Sequence, residues 1–226
     1  MICSPYCSLL VKNHIQMYKV FLNEKPLILT TSILVSSDLT PLIHSKFSDT
    51  QIIIKALKSK KTNFVYYYNS NPEKLIKHLQ KHFPIVEASG GMVKNEKGQF
   101  LLIYRNDKWD LPKGHLKKNE MTIDGAIREV SEETGVLELK SKTILPTTYH
   151  IYKRNGIYKL KKTYWFVMST NFIGKLKPQL NEKIEKAVWK SESEIKLLME
   201  NMYSNIKFLF KFYFAQDKTE GGTSSL

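Results

Sequence analysis

Three glutamates fall close together in one predicted helix, at a spacing that could do metal chemistry. Glu129 and Glu133 are four residues apart, which places them on one side of a helix, and Glu132 lies one step further round. Carboxylates within about 6 Å of one another repel unless a cation lies among them. Because carboxylate oxygens bind hard ions, this arrangement indicates a site for Mg²⁺ or Mn²⁺.

The residues around this cluster are suited to hold it in place. Arg128 is four residues before Glu132 and can pair with it on the outer side of the helix. We expect Thr122 to cap the helix and Gly135 to end it in a left-handed conformation. Gly114 lies in a predicted loop ahead of the helix, where a glycine lets a backbone carbonyl approach the metal.

These residues together resemble the Nudix box, Gly-x5-Glu-x7-Arg-Glu-U-x-Glu-Glu-x-Gly-U, in which U is aliphatic. The run from Gly114 to Val136 matches all nine defined positions. The resemblance extends over Ile85 to about Phe214 and leaves the N-terminal third of the chain unexplained. It implies an α/β fold, a Nudix-type α/β/α sandwich with a mixed sheet, and Mg²⁺-dependent hydrolysis of a nucleoside diphosphate linked to another moiety.

The resemblance also implies roles for individual residues. In the Nudix family the box glycine carbonyl and three glutamates hold metal, which here means Gly114, Glu129, Glu132 and Glu133. Glu120 would support the loop and its partner Arg128 rather than take part in the chemistry. We therefore expect Mg²⁺ or Mn²⁺ as the cofactor, bound at the start of the box and on its helix.

The expected mechanism follows from the charges of a diphosphate. Its oxygens repel a nucleophile, so a metal that bridges them neutralises charge and lowers the pKa of bound water. A carboxylate then takes the proton. Which glutamate acts as base varies within the family. Glu129 is one candidate, and Glu182 or Glu185 resembles the carboxylate that a late loop supplies in some members; the alternative for these two is exposed loop charge.

The segment before the box bears on the substrate. Trp109 to His115 resembles the lead-in of dinucleoside polyphosphate hydrolases, in which Lys113 and His115 would reach phosphates. Those enzymes tend to carry a base-stacking tyrosine about seventeen residues past the box. Tyr152 lies sixteen residues past it, and Tyr164 is a further substrate-binding candidate in the same tyrosine-rich stretch. We therefore expect a dinucleoside polyphosphate such as diadenosine tetraphosphate as substrate.

Other functions stay open. Diphosphoinositol polyphosphates and capped or triphosphorylated RNA ends would suit the same catalytic groups. A different class is a nucleotide-sensing Nudix regulator whose N-terminal unit binds nucleic acid or protein. Such sensors often have a degraded box, whereas this box is complete, and the N-terminal pattern shows no helix-turn-helix signature. Nucleic acid is therefore not indicated as a partner, and a phosphorylated small molecule is expected.

The elements that must position the box suggest two domains. We expect a poorly ordered extension over residues 1–16, with Met17 as an alternative start, and a small β-β-α-β-α accessory domain over residues 17–84. The Nudix domain would span residues 85–214 and a frayed tail residues 215–226. Within it, Asn155-Gly156 predicts a hairpin and Ser191 with Glu194 predicts a capping box. The segment Ile206 to Phe214 fits either a strand or a final helix.

Composition limits the wider setting. The 226 residues include 32 Lys and only 3 Arg, and the net charge is +14, which favours polyanions without selecting one. Cys3 and Cys7 are the only cysteines, so the body can hold neither a disulfide framework nor a cysteine-based zinc site. That usage fits a cytoplasmic location. No run approaches the roughly 18 apolar residues of a membrane span, so we expect no membrane partner; a homodimer stays open.

Overall fold

The computed structural model describes residues 18–220, and the chain divides into two compact units between Phe83 and Pro84. The predicted extension over residues 1–16 lies outside the described residues, as does the end of the predicted tail. No helix among the described residues is long and apolar enough to cross a bilayer.

The first unit is a small mixed sheet with two helices. Its elements are β1 (Tyr18–Leu22), β2 (Lys25–Thr30), β3 (Leu42–His44), α1 (Thr50–Lys58), β4 (Val65–Tyr68) and α2 (Pro72–His82). The strand order is β1-β2-β4-β3, with β1 antiparallel to β2 and the other two pairs parallel. The sequence pattern predicts all of these except β3, whose three residues are too few to show an alternation.

Helix α2 starts as its sequence indicates. The side chain of Asn71 accepts a hydrogen bond from the backbone N–H of Glu73, and Pro72 occupies the first turn. Proline has no N–H to leave unsatisfied there. The Asn71-Pro72 pair is therefore a local start signal for this helix.

The second unit carries the box. Its elements are β5 (Ile85–Asn95), β6 (Phe100–Arg105), β7 (Lys108–Asp110), β8 (Lys113–His115), α3 (Thr122–Thr134), β9 (Lys140–Arg154), β10 (Ile157–Thr170), β11 (Lys186–Lys190), α4 (Glu192–Leu198) and α5 (Ser204–Glu220). The strands of its sheet run in the order β11-β6-β5-β10-β9, while β7 pairs with β6 and β8 with β5. Because β5 and β10 are parallel and the other pairs are antiparallel, the sheet is mixed, as expected.

Helices cover both faces of this sheet. Neighbouring residues of one strand point to opposite sides, so Trp165 packs in a cluster with α4 and α5, whereas Phe166 packs in a cluster with α3. Met92 and Val93 of β5 divide in the same way. The unit is therefore the α/β/α sandwich that the box implied, with α3 alone on one side.

The two ends of α3 differ in how well they were predicted. Met121, not Thr122, is the N-cap residue, and it makes no side-chain capping bond; Thr122 is already the first helical residue. The predicted Thr122 cap is therefore wrong. Gly135 ends the helix with φ of 74°, and its N–H donates to the Ser131 carbonyl, as its left-handed role requires.

Turn and capping signals in the second unit are confirmed. Asn155 and Gly156 both have positive φ, 51° and 79°, and join β9 to β10 as a tight hairpin. Ser191 and Glu194 form the predicted capping box at the start of α4, with each side chain bonded to the other residue's backbone N–H.

The ambiguous segment from Ile206 to Phe214 is helical. Ile206, Leu209 and Phe210 are fully buried at the i, i+3, i+4 spacing of one helix face, whereas Phe208 is 39% exposed. Helix α5 also continues to Glu220, beyond the predicted domain end at residue 214. The alternating phenylalanines do not form a strand, because the residues of this segment that pack in the core, Ile206, Leu209 and Phe210, follow helical spacing.

This difference predicts unequal effects of two neighbouring substitutions. Phe210 is fully buried with its ring centroid 5.6 Å from that of Phe100, so Phe210→Ala should lower the free energy of unfolding by about 3 to 5 kcal/mol. Phe208→Ala on the exposed side should cost less than about 1 kcal/mol. Urea denaturation of both variants measures the difference, and equal losses would mean that the segment does not pack as this helix.

Candidate active site

Helix α3 presents its three glutamates to three different environments. Ala126 and Val130 bury the helix against the sheet, and the glutamates lie along the flank of that buried stripe. Glu133 is buried, Glu129 is half-buried, and Glu132 is exposed. The helix therefore carries its carboxylates across the boundary between the core and the solvent.

Strand β8 brings the box glycine against one of these carboxylates. Gly114 is registered opposite Ser89 of β5, and its Cα faces the Glu129 side chain. A Cβ at position 114 would overlap the Glu129 carboxylate. Only glycine permits this close approach of the backbone to the Glu129 carboxylate.

A single guanidinium joins the helix to the loop. The Nε and Nη2 groups of Arg128 donate to the two oxygens of Glu120 at 2.7 and 2.8 Å, and Nη2 also donates to the His115 carbonyl at 3.0 Å. Its Nη1 donates to Glu129 at 2.6 Å and to Glu132 at 3.0 Å. Arg128 thus fixes two of the predicted metal-binding carboxylates and the loop in front of them.

These bonds shift the acid strength of the groups involved. The hydrogen bonds from Arg128 lower the pKa of Glu120 to about 2, and the Lys117 backbone N–H, which donates to the same carboxylate, lowers it further. Burial raises the pKa of Glu129; the bond from Arg128 opposes this rise, while the charges of Glu132 and Glu182 add to it. Glu120 is therefore a permanently charged support, and Glu129 is the more basic of the two.

Glu133 belongs to a separate, buried cluster. Its carboxylate accepts a hydrogen bond from the Lys113 backbone N–H at 2.8 Å and lies 3.5 Å from Arg105. Asp110 pairs with Arg105 at 3.1 Å and with the Lys113 ammonium at 2.5 Å. Burial raises the pKa of Glu133 to about 7, although the positive charges of Lys113 and Arg105 oppose the rise.

One expectation about this site needs correction. The spacing of the three glutamates indicated a metal as the cation among them, but Arg128, Arg105 and the Lys113 backbone already contact them. Within residues 18–220, no three His, Cys, Asp or Glu side chains are grouped so that they could hold a metal ion. The glutamates are held by cations from the chain itself.

The Lys113 side chain also points away from the role predicted for it. Its ammonium is buried, bonded to Asp110, and 5.9 Å from the centre of the Trp165 ring. A lysine so enclosed stabilises the segment ahead of the box rather than reaching out to a phosphate. His115 is exposed, as that role requires. Burial lowers its pKa, and the charges of Lys161 and Arg154 lower it further.

Glu182 and Glu185, which lie between β10 and β11, differ in their electrostatic effect on the box. Glu182 ends a 3-10 turn, and its negative charge raises the pKa of Glu129 and of His115. Glu185 is exposed, and its backbone N–H donates to the Tyr104 carbonyl at the edge of the sheet. The structure therefore brings Glu182 within electrostatic range of the box.

The two candidate tyrosines lie on opposite faces of the sheet. Ile151 and Leu160 are paired across β9 and β10 and are fully buried on one face, so Tyr152 and Lys161 point to the other. The Lys161 ammonium lies 5.5 Å from the centre of the Tyr152 ring. Tyr164 is on the α3 face, where its hydroxyl donates to Glu87 at 2.7 Å. The structure does not bring Tyr164 together with Tyr152.

Three contributors to the site were missed by sequence reasoning: Arg105, Asp110 and Lys161. Their contacts join separate strands, so no local spacing reveals them. One signal was available, because the chain has only three arginines. Arg105 and Arg128 bond glutamates of the box, and the charge of Arg154 acts on His115. In a chain with 32 lysines, all three arginines act on residues of this site.

Comparison with known proteins agrees with the box. Over 170 aligned residues the chain is 27% identical to mRNA-decapping enzyme subunit 2 of Saccharomyces cerevisiae, which covers 70% of this chain but 15% of the relative. It is 34% identical over 85 residues to an 8-oxo-(d)GTP phosphatase of Mycolicibacterium smegmatis, 38% of this chain and 24% of the relative. The chain thus spans only a small part of these curated relatives.

Among solved structures, the crystal structure of a MutT protein from Methanosarcina mazei Go1 is 26% identical, with a TM-score of 0.48. It covers 60% of this chain and 97% of the MutT chain. The NUDIX domain family matches residues 85–212, more than half of the sequence and nearly all of the second unit. With the complete box on α3 and the mixed sheet between helices, this match shows that the chain belongs to the NUDIX domain family and is classed with the Nudix hydrolases.

Proposed function

We propose that this chain is a metal-dependent pyrophosphohydrolase that cleaves a phosphoanhydride bond in a nucleotide, with a dinucleoside polyphosphate such as diadenosine tetraphosphate as its substrate. The observation that carries the hydrolase assignment is the contact between Gly114 and Glu129. It brings the Gly114 backbone against a carboxylate of the box, and backbone and carboxylate oxygens are the donors that a divalent metal of such a reaction takes.

The donor set fits Mg²⁺ or Mn²⁺. A Cβ at Gly114 would overlap the Glu129 carboxylate, so the glycine backbone lies against those oxygens, and Glu132 is exposed nearby on the same helix. Gly114, Glu129 and Glu132 are the residues that would hold the ion, whereas Glu133 is bonded to the Lys113 backbone and lies near Arg105 in the separate buried cluster. When bound, the ion would neutralise phosphate charge and make a bound water more acidic. Arg128 keeps Glu129 and Glu132 in position for that purpose.

Two carboxylates could take the proton from the attacking water. Glu129 is half-buried, and burial raises its pKa, which suits a base that a substrate can reach; Glu133 is more deeply buried, in its own cluster. Glu182 is exposed, and its charge acts on Glu129 and His115. Glu185 is the weaker candidate, because its charge is not among those that shift the pKa of Glu129 or His115.

Tyr152 supports a base-containing substrate. It lies on the same face as Lys161, whose charge acts on exposed His115 beside the box. An aromatic ring at that position can stack on a nucleotide base, and stacking contributes roughly 1 to 3 kcal/mol per base. A diphosphoinositol substrate would leave this ring unused.

A capped RNA end is the second candidate. The similarity to the yeast decapping subunit is the specific observation in its favour, since it extends over 70% of this chain and so beyond the NUDIX match. Such a substrate carries the same phosphoanhydride bridge and a base for Tyr152. Incubating the purified protein with a panel of nucleotides, capped RNA and diphosphoinositols in Mg²⁺, and identifying the products by mass, tests the proposal and separates these substrates.

Hydrolysis should depend on a divalent metal. Arg128 and Arg105 are engaged with the glutamates, and the proposed reaction needs a divalent ion both to neutralise the diphosphate and to make the attacking water more acidic. Excess EDTA should abolish turnover, and added Mg²⁺ or Mn²⁺ should restore it. Undiminished hydrolysis in excess chelator would contradict the assignment.

Glu129→Gln should lower kcat by about a thousandfold or more, because it removes a ligand charge while keeping the side-chain volume. Thermal stability should change little. Asp124→Asn is the matched control, since Asp124 is exposed in the first turn of the same helix and loses the same charge. If Glu129→Gln kept a tenth of the wild-type activity, α3 would not be the catalytic helix.

Tyr152→Ala should reduce kcat/KM for a dinucleoside tetraphosphate by roughly 1 to 3 kcal/mol and should barely affect a diphosphoinositol. Tyr158→Ala is the control. Tyr158 is two residues before Leu160 and shares its face of β10, which is opposite to the face of Tyr152. Steady-state kinetics on both substrates give the ratio. Equal losses on the two substrates would assign Tyr152 to the packing of the hairpin.

A further inference from the structure

Lys161 is a half-buried cation beside the box that nothing above assigns. It lies on β10, and its ammonium is 5.5 Å from the centre of the Tyr152 ring. Within the described part of the chain, no carboxylate oxygen approaches it to within the 4.0 Å of an ion pair. A charge withdrawn from water without a partner is costly, which points to a partner that arrives from outside.

The neighbouring carboxylates are already occupied. Asp110 is bonded by Arg105 at 3.1 Å and by Lys113 at 2.5 Å, and Arg105 also lies 3.5 Å from Glu133. Two cations therefore serve these two buried carboxylates, and Lys161 is the third cation of the group. Within the described residues, its ammonium has no carboxylate left to pair with at ion-pair distance.

The pKa of Lys161 responds to the same charged groups. Burial lowers its pKa, Arg105 lowers it further, and Asp110, Glu133 and Glu182 oppose the decrease. The Lys161 charge in turn lowers the pKa of Lys113 and of His115. Lys161 is thus coupled electrostatically to Glu133 of the box and to the exposed His115.

The adjacent lysine shows that this arrangement is specific to one face. Lys162 points to the opposite side of β10, where it lies 3.6 Å from Glu87 and 4.5 Å from the centre of the Tyr164 ring. It has a carboxylate partner and lies outside the proposed site. The two lysines are neighbours in sequence, equal in charge and different in surroundings.

We propose that Lys161 binds the phosphate chain of the substrate, with its ammonium on a non-bridging oxygen next to the ring of Tyr152. This takes the place of the phosphate contact predicted for Lys113, whose ammonium is turned inward. Lys161 and Tyr152 together would bind nucleotides that carry a phosphate chain more tightly than nucleosides. This proposal rests on the proposed function for the identity of the phosphate chain.

The test compares Lys161→Met with Lys162→Met. Binding of ADP and of adenosine is measured by calorimetry in excess EDTA, so that neither a metal nor turnover contributes. Lys161→Met should weaken ADP binding about 10- to 100-fold, as the loss of a charge-assisted hydrogen bond does, and leave adenosine binding unchanged. Lys162→Met should match the wild type, and Lys161→Arg should retain most of the ADP affinity.

Equal ADP affinities of Lys161→Met and Lys162→Met would overturn the proposal, as would a wild type that binds ADP no better than adenosine. If Lys161→Met proves unfolded by thermal melting, the comparison of Lys161→Gln with Lys161→Arg decides in the same way. The two proposals can fail separately. If the wild type hydrolyses no nucleotide but Lys161→Met weakens its ADP binding, the proposed function is refuted and the phosphate site stands. If the wild type hydrolyses nucleotides and Lys161→Met changes neither hydrolysis nor ADP binding, the phosphate site is refuted and the proposed function stands.

Discussion

The candidate site depends on one ion-pair network, the contacts of Arg128 with Glu120, Glu129 and Glu132. Without it, carboxylates on one helix flank would repel each other and the loop before the helix would lose the bond to the His115 carbonyl. A guanidinium can donate in several directions at once from one plane, which a lysine ammonium on a flexible stem cannot reproduce. Helix α3 and the loop before it are therefore one preorganised unit.

Strand alternation then decides which of the many lysines and tyrosines take part. The hairpin of β9 and β10 is rich in both, and sequence alone gives them equal claims. Burial of Ile151 and Leu160 on one face turns Tyr152 and Lys161 to the other, while Tyr164 joins the α3 side. A shift of register by one residue would exchange the two sets, so the paired buried residues determine the composition of the site.

What could be predicted from the sequence are the features with local causes. Helix α3, its end at Gly135, the Asn155-Gly156 turn and the Ser191 capping box each depend on residues within a few positions of one another. The complete box added the sandwich architecture, while the roles of its glutamates stay predictions. Local signals misplaced the start of α3, where Thr122 makes no capping bond, and they predicted a loop around Gly114 where the structure has the short strand β8.

Features that depend on distant contacts could not be predicted in this way. The burial of Lys113 requires Asp110 on β7 and Trp165 on β10 to meet it, and Arg105 reaches Glu133 from another strand. Helix α5 was ambiguous because the alternation of its phenylalanines has a strand period, whereas its packing has a helix period. In each case tertiary packing determines a choice that the sequence pattern leaves open.

The distribution of charge explains how a strongly basic chain can keep an acidic site. The buried carboxylates Asp110 and Glu133 are matched by Arg105 and Lys113, so the core beneath the site is close to neutral. The carboxylates nearer to solvent are held by Arg128, and Glu132 stays exposed. Lys161 has no carboxylate oxygen within ion-pair distance among the described residues, so its positive charge is not matched within that part of the chain. Under the proposed function, the phosphate oxygens of the substrate would supply the negative charge that this cation lacks.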